Sequence, residues 1–216
     1  MNIRFRFMKF RKIAGMLSIT IFIISLLSLG FRGLSFGLDF SGGTLIEVSY
    51  EKPVELQDIR DTLEGNGFAD YQVSNLDTNL DVRIKVADQS GNSSVGENIF
   101  NILNSQDVQI ELKRVEFVGP QVGDELRDQG GLGMLIALFM ILFYVAFRFQ
   151  YKFALGAVTA LGHDVVIVLG LFSIFGLDFD LTVLAALLAV IGYSLNDTIV
   201  VSDRIRENFR TERILE

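Results

Sequence analysis

Four apolar runs, each long enough to cross a bilayer as a helix, constrain this sequence more than any other feature. They cover residues 13–31, 129–147, 153–177 and 181–202. A hydrocarbon core of ~30 Å requires ~20 helical residues. Hydrophobic residues make up 50% of the chain, and the mean hydropathy is positive, +0.41. We therefore expect a membrane protein with a bundle of four transmembrane helices.

The first run follows a basic flank, which a cleaved signal peptide would also have. Its apolar core is longer than a signal peptide requires, and residues 29–32 contain no small-x-small cleavage site. We therefore predict that 13–31 is an uncleaved transmembrane helix.

The positions of lysine and arginine predict one orientation for all four helices. Segment 1–12 carries five basic residues and no acidic residue, and Arg148 and Lys152 stand between the second and third runs. These segments and the tail 203–216 are expected in the cytoplasm. The loop 32–128 and the turn with Asp178 and Asp180 are expected on the other side.

The loop 32–128 has the pattern of one α+β domain. Alternating apolar residues at 44–50, 71–76, 80–86 and 108–112 predict strands. Helical spacing after Pro53 and over 95–103 predicts two helices, and 89–94 is expected to be a loop. The order β-α-β-β-α-β is that of ferredoxin-like domains. The expected fold is thus four transmembrane helices with one ferredoxin-like extracytoplasmic domain.

The charge of this loop limits its functions. Residues 32–132 contain 8 basic and 18 acidic residues, and an acidic domain without a basic stripe argues against a nucleic-acid partner. The chain has no cysteine, and neither a nucleophile–base arrangement nor a metal-ligand spacing is recognisable. We expect no enzyme activity, no metal and no cofactor.

Two glycine motifs flank the domain, DFSGGT at 39–44 and VGPQVG at 118–123. A Gly-Gly pair could hold an anion, but this one lacks the lysine and the helix of a phosphate loop. Because glycine permits tight and left-handed backbone, we predict hinges that set the angle between domain and bilayer. The residues assigned to these hinges are Asp39, Gly42, Gly43, Gly119, Pro120 and Gly123.

Two carboxylates, Asp164 and Asp197, lie inside the third and fourth runs. An acid in mid-helix costs ~2.5–3.5 kcal/mol even on lenient insertion scales, so it is functional by default. A low dielectric favours the neutral acid, which lets the group take up and release a proton. We predict a proton relay with Asp197 first, and Asp164 with His163 second. A structural hydrogen bond between helices is the alternative for Asp164 and His163, and for His163 it is the favoured one.

Polar neighbours extend this candidate site. Three residues on the fourth run would orient or hydrate Asp197: Tyr193, Ser194 and Asn196. Three charged residues after the run are expected to anchor the helix at the cytoplasmic interface: Asp203, Arg204 and Arg206. An ion pair with a partner subunit is the weaker alternative for these three.

Several segments resemble the SecF family of bacterial protein-export membrane proteins. They are the first glycine motif from 36 to 44, the second motif followed by Glu125 and Leu126, the His163-Asp164 pair, and the stretch IGYSLNDTIVVSDRIREN at 191–208. The last stretch is long and specific, and the resemblance covers nearly the whole chain.

The resemblance implies a protein of the resistance–nodulation–division superfamily. Such a subunit pairs with SecD, works beside the SecYEG channel and the YidC insertase, and uses the proton gradient to help draw an unfolded polypeptide across the bacterial inner membrane. Its N-terminus would be cytoplasmic, its large loop periplasmic, and Asp197 would be a relay carboxylate. Family members have six spans, with an intramembrane arginine in the last pair. Because this chain has four, we expect a truncated or incomplete member.

A small-molecule or ion exporter of the same superfamily is the alternative function. It would require a porter-like outer domain with a substrate cleft, in a much longer chain. A membrane anchor without transport would leave the intramembrane acids unexplained.

Overall fold

The computed structural model of the chain describes residues 7–76, 78–87, 94–105, 109–148 and 151–215. Arg4, Arg6, most of the loop predicted at 89–94, and Val108 lie outside the described residues. The chain divides into two compact units, Met1–Ser35 with Leu132–Glu216, and Phe36–Gly131.

Long helices form the first unit: α1 (Arg11–Phe31), the larger part of α5 (Pro120–Arg148), α6 (Tyr151–Phe175) and α7 (Leu181–Leu215). In the part of the chain that the structure describes, all four are long and apolar enough to cross a membrane, as the hydropathy predicted. A 3-10 turn, Phe7–Phe10, precedes α1, and strand β6 (Asp178–Phe179) lies between α6 and α7. Asp180 caps α7, because its Oδ1 accepts a 2.8 Å hydrogen bond from the Val183 amide.

Helices α1 and α6 pack closely and run in the same direction. Ser25 is fully buried, and a Cβ added to Gly170 would lie 2.1 Å from the Ser25 Cβ. One turn further along both helices, Ser28 Oγ lies 2.8 Å from Ser173 Oγ. In lipid no hydrophobic force drives helices together, and small residues permit the close approach on which their packing then depends. The parallel arrangement agrees with α5 crossing back between the two.

The second unit is an α+β domain on a four-stranded antiparallel sheet, preceded by β1 (Ser35–Phe36) and α2 (Leu38–Ser41). Its elements follow in the predicted order: β2 (Gly43–Tyr50), α3 (Leu56–Gly65), β3 (Tyr71–Asn75), β4 (Asp81–Val86), α4 (Val95–Asn104) and β5 (Ile110–Val118). The strands lie in the spatial order β3-β4-β2-β5. The first and third strands of the domain are therefore central.

One face of this sheet is apolar and packs against the helices. Ile46 pairs with Ile84 and Val48 with Val82, so the alternating residues of β2 and β4 reach the same face. The buried core comprises Ile46, Val48, Tyr50, Ile59, Leu63, Val73, Val82, Ile84, Val86, Ile99 and Leu103. This agrees with the predicted alternation in both central strands.

The opposite face carries a polar cluster centred on Asp81. Its Oδ1 accepts hydrogen bonds from Lys113 Nζ at 2.6 Å and Ser49 Oγ at 2.7 Å, and its Oδ2 accepts one from Thr78 at 2.9 Å. The bond from Lys113, followed by those from the two hydroxyls, lowers the pKa of Asp81 to about 2. The pairing of β2 with β5 shifts register between Glu47 and Val48, and this irregularity lies at Lys113.

Several helices and strands begin or end at other residues than predicted. Helix α5 begins at Pro120 rather than 129, because proline suits the first helical position and the polar first turns hold an Arg127–Asp124 ion pair at 3.0 Å. Helix α7 continues through the predicted tail 203–216 to Leu215. Helix α6 ends at Phe175 rather than 177, before Gly176 with φ +62°. Strand β5 reaches Val118 rather than 112.

Candidate proton-relay site

Four polar side chains on three helices form a continuous hydrogen-bonded chain in the first unit. Ser18 Oγ on α1 lies 2.7 Å from His163 Nε2 on α6. His163 Nδ1 lies 3.1 Å from Asp164 Oδ1, and Ser194 Oγ on α7 donates to Asp164 Oδ2. The Phe22 ring stacks on His163 with centroids 5.5 Å apart and an interplanar angle of 8°. The four hydrogen-bonded side chains, Ser18, His163, Asp164 and Ser194, are named the α1–α6–α7 chain.

The α1–α6–α7 chain combines two of the predicted relay candidates, Asp164 and His163, with one predicted supporting residue, Ser194. His163 and Asp164 side chains are 33% and 35% exposed, so neither is sealed from its surroundings. Ser194 contacts Asp164, whereas the sequence assigned it to Asp197. This difference arises because α6 and α7 are antiparallel neighbours, which brings Ser194 across from Asp164.

The other predicted residues of α7 stay apart from this chain of hydrogen bonds. Asp197, Asn196 and Tyr193 are exposed, and Tyr193 is 76% exposed. Within the described residues, the Asp197 carboxylate makes no hydrogen bond or ion pair. Asp197 follows Ser194 by three positions and therefore lies one turn further along the same side of α7.

The three charged residues beyond the fourth apolar run lie on the same continuous helix. Asp203 and Arg204 are exposed, and Arg206 is partly buried. Arg204 pairs with Glu207 one turn later. An exposed pair of this kind adds a few tenths of a kcal/mol at most to the helix.

The two glycine motifs meet in the second unit. Gly42 has φ +66° and Gly43 has φ +112°. A Cβ on Gly43 would lie 2.3 Å from the Val86 carbonyl oxygen, and one on Gly123 would lie 2.8 Å from the Gly42 nitrogen. Pro120 also faces Gly42, at 3.0 Å from its added Cβ. The two motifs thus pack backbone against backbone.

The remaining residues of the motifs have looser surroundings. A Cβ on Gly119 would meet no atom within 4 Å. Asp39 lies in α2, partly buried. Glycine is therefore sterically required at 43 and 123, but not at 119.

Sequence reasoning missed Ser18 and Phe22, the contribution of α1 to this site. A signal for it was available: Ser18, Ser25 and Ser28 recur at spacings of seven and three in an apolar helix, and such a spacing lies on one helix face. Each of these residues lies against α6. Over the residues that the structure describes, no group of three histidine, aspartate or glutamate side chains could hold a metal ion.

Two known protein families match this chain. The family described as protein export membrane protein SecD/SecF, C-terminal, matches residues 98–216, and the SecD/SecF GG motif matches residues 27–54. The chain belongs to the SecD/SecF family of protein-export membrane proteins. It is a multi-pass membrane protein, and its family is one of the bacterial inner membrane.

The similar curated proteins are SecF subunits. Protein translocase subunit SecF of Pseudomonas aeruginosa is 51% identical over 218 residues, covering 99% of this chain and 71% of the relative. That of Vibrio alginolyticus is 48% identical, covering 96% of this chain and 67% of the relative.

A solved structure has the same fold. The crystal structure of SecDF, a translocon-associated membrane protein from Thermus thermophilus, superposes with a TM-score of 0.82 at 33% identity. The match covers 96% of this chain and 28% of that chain. Four membrane-length helices and a small mixed α/β domain are therefore common to both.

Proposed function

We propose that this chain acts as a SecF-type subunit that couples the proton motive force to late steps of polypeptide export across the inner membrane. The observation that carries the proposal is the α1–α6–α7 chain. It joins the imidazole and the carboxylate of α6 to serine hydroxyls of α1 and α7, in membrane helices where an ionisable group is costly and therefore functional by default.

Asp197 completes the proposed relay one helical turn from Ser194. Its carboxylate is exposed in the isolated chain, and exposure to hydrocarbon would cost ~2.5–3.5 kcal/mol. This cost favours a protein neighbour or a water-filled path beside that face of α7. SecD is the proposed neighbour, because the similar solved chain is named SecDF.

The energy available is sufficient for a conformational change. One proton crossing ~150 mV releases roughly 3.5 kcal/mol, at ~2.3 kcal/mol per charge per 100 mV. That shifts a two-state equilibrium by a few hundredfold. Protonation of Asp197 would change the cost of exposing its helix face, so helix packing could alternate and bias capture and release of a polypeptide.

The proposed partners and orientation follow the family. The SecYEG channel and YidC would lie beside the complex, and the translocating unfolded polypeptide would be its substrate. The N-terminus and the tail after 202 would be cytoplasmic, and the 36–131 unit periplasmic. The parallel course of α1 and α6 supports an odd number of crossings between them.

The test uses the chain assembled with SecD in inverted membrane vesicles. Asp197→Asn should leave membrane insertion intact and remove the part of preprotein translocation that depends on the proton gradient. Asp128→Asn is the control, since it neutralises an exposed acid of α5 outside the apolar run. Unchanged gradient-dependent translocation in Asp197→Asn would reject the proposal, and failed insertion would indicate a packing role instead.

A further inference from the structure

We propose that Ser18 on α1 is a positioning residue of the relay, which orients the His163 ring so that a proton can pass from Nε2 through Nδ1 to Asp164. This inference rests on the proposed function and extends it to the first helix. No residue of α1 was predicted to take part in the relay, because 13–31 contains no ionisable residue.

The hydrogen-bond geometry permits one arrangement of protons when Asp164 is ionised and the His163 ring is neutral. A carboxylate only accepts, so His163 Nδ1 must carry the proton of the 3.1 Å bond to Oδ1. The Nε2 of a neutral ring then accepts, and the Ser18 hydroxyl donates to it over 2.7 Å. Ser194 donates to the second carboxylate oxygen. Each ring nitrogen and each carboxylate oxygen has one partner in this arrangement.

The Ser18 hydroxyl has a second arrangement available within α1. Serine and threonine hydroxyls in helices can donate to the carbonyl four residues earlier, and Thr20 does so, to Met16 at 2.9 Å. When Nε2 gains a proton it becomes a donor, and Ser18 Oγ becomes the acceptor. The Ser18 hydroxyl proton then turns away from the ring.

The proton transfer starts from a hydronium ion that the proton gradient supplies. The hydronium ion gives its proton to Nε2 and leaves as water, and the Nδ1–H bond breaks as its proton passes to Asp164 Oδ1. The ring ends neutral with its proton on Nε2, and Asp164 ends neutral. One proton has moved from the α1 side of the ring to the carboxylate that Ser194 contacts.

Ring orientation is what this transfer requires. Phe22 stacks on the ring plane, but stacking does not distinguish the two ring orientations that are related by a flip about the Cβ–Cγ bond. The hydrogen bond of Ser18 to Nε2 joins that of Asp164 to Nδ1 in selecting one of them. Asp164 on α6 is the titratable group that contacts the ring, Asp197 lies one turn beyond Ser194 on α7, and the apolar run of α1 carries no ionisable residue.

The chain offers a matched control in the same helix interface. Ser28 also bonds α6, through Ser173 at 2.8 Å, but that pair contains no titratable group. Ser18→Ala and Ser28→Ala each remove one α1–α6 hydrogen bond. Ser18→Thr keeps the hydroxyl and is the conservative rescue.

His163 is the single histidine of the chain, so ¹⁵N-histidine labelling gives one ring to observe in the full chain with SecD in bilayers. We expect Ser18→Ala to move the Nε2 resonance to that of an acceptor without a hydrogen bond, with Ser18→Thr and Ser28→Ala near wild type. Gradient-dependent translocation should fall about fivefold in Ser18→Ala alone, the effect of one hydrogen bond, and its pH profile should change.

The outcomes separate this inference from the proposed function. An unchanged Nε2 resonance in Ser18→Ala overturns the positioning role, whatever the export activity. A changed resonance with normal export and a normal pH profile also overturns it, and the proposed function stands if Asp197→Asn still abolishes coupling. Equal loss of export in Ser18→Ala and Ser28→Ala would show that α1 contributes packing alone.

Discussion

Replacement of Gly43 by alanine should loosen the start of the central strand β2. At φ +112° an L-residue is strained by about 1–3 kcal/mol. The added Cβ would also lie 2.3 Å from the Val86 carbonyl oxygen, so β4 must move. Losing the ladder hydrogen bond at that end adds about 1 kcal/mol. We expect the free energy of unfolding of the domain to fall by about 2–4 kcal/mol in total.

Two other glycines of the same domain separate strain from steric clash. Gly67 has φ +88° but open space around its added Cβ, so Gly67→Ala should show strain alone. Gly65 has open space at the end of α3 and no positive φ, so Gly65→Ala should be neutral or slightly stabilising.

Amide hydrogen exchange of the full chain in detergent measures these effects locally. Protection of the β2 and β4 amides should fall most in Gly43→Ala, less in Gly67→Ala and not at all in Gly65→Ala. Equal losses in Gly43→Ala and Gly67→Ala would refute the steric contribution of Val86. Full protection in Gly43→Ala would refute the close approach of the strands itself.

Three further predictions concern the same domain. Because the pKa of Asp81 is lowered to about 2 by its bond from Lys113, its contribution to stability is present above pH ~4 and is lost as pH falls toward 2; acid unfolding of Asp81→Asn should lack that phase. Burial raises the pKa of Tyr50 to about 12, so the folded domain favours the neutral phenol and loses stability as pH rises above ~10, and Tyr50→Phe should flatten this alkaline limb in a denaturation series. Ile46→Val removes one methylene from a fully buried site and should cost about 0.5–1.5 kcal/mol in urea unfolding, whereas Ile46→Ala should cost about 2–5; equal costs would contradict close packing there.

The fold was largely predictable because its apolar pattern is regular. Four long runs and two alternating central strands leave few arrangements that bury them. Helix ends were less predictable, because a helix can continue beyond its apolar run into polar residues. Asp124 and Arg127 lie outside the hydrophobic run, but arginine is a good helix former and an acid is favoured near a helix N-terminus, so the helix begins earlier than 129.

The two intramembrane acids of the candidate site could be predicted from the sequence, but their hydrogen-bond partners could not. A costly carboxylate is visible in sequence at 164 and 197. Which serine contacts it depends on how helices align, and the antiparallel packing of α6 and α7 places Ser194 against Asp164. Ser18 lies 145 positions from His163, and local periodicity cannot indicate a pairing over that distance.

The separation of α1 from α6 along the chain has a consequence for biogenesis. At ~5–20 residues per second, the ribosome needs roughly 7–30 s to make the 145 residues between Ser18 and His163. Throughout that interval the three serines of α1 lack their neighbours on α6. Their hydroxyls can instead donate to the carbonyl four residues earlier, so the first helix can be satisfied alone until the third helix arrives and exchanges those bonds for contacts between helices.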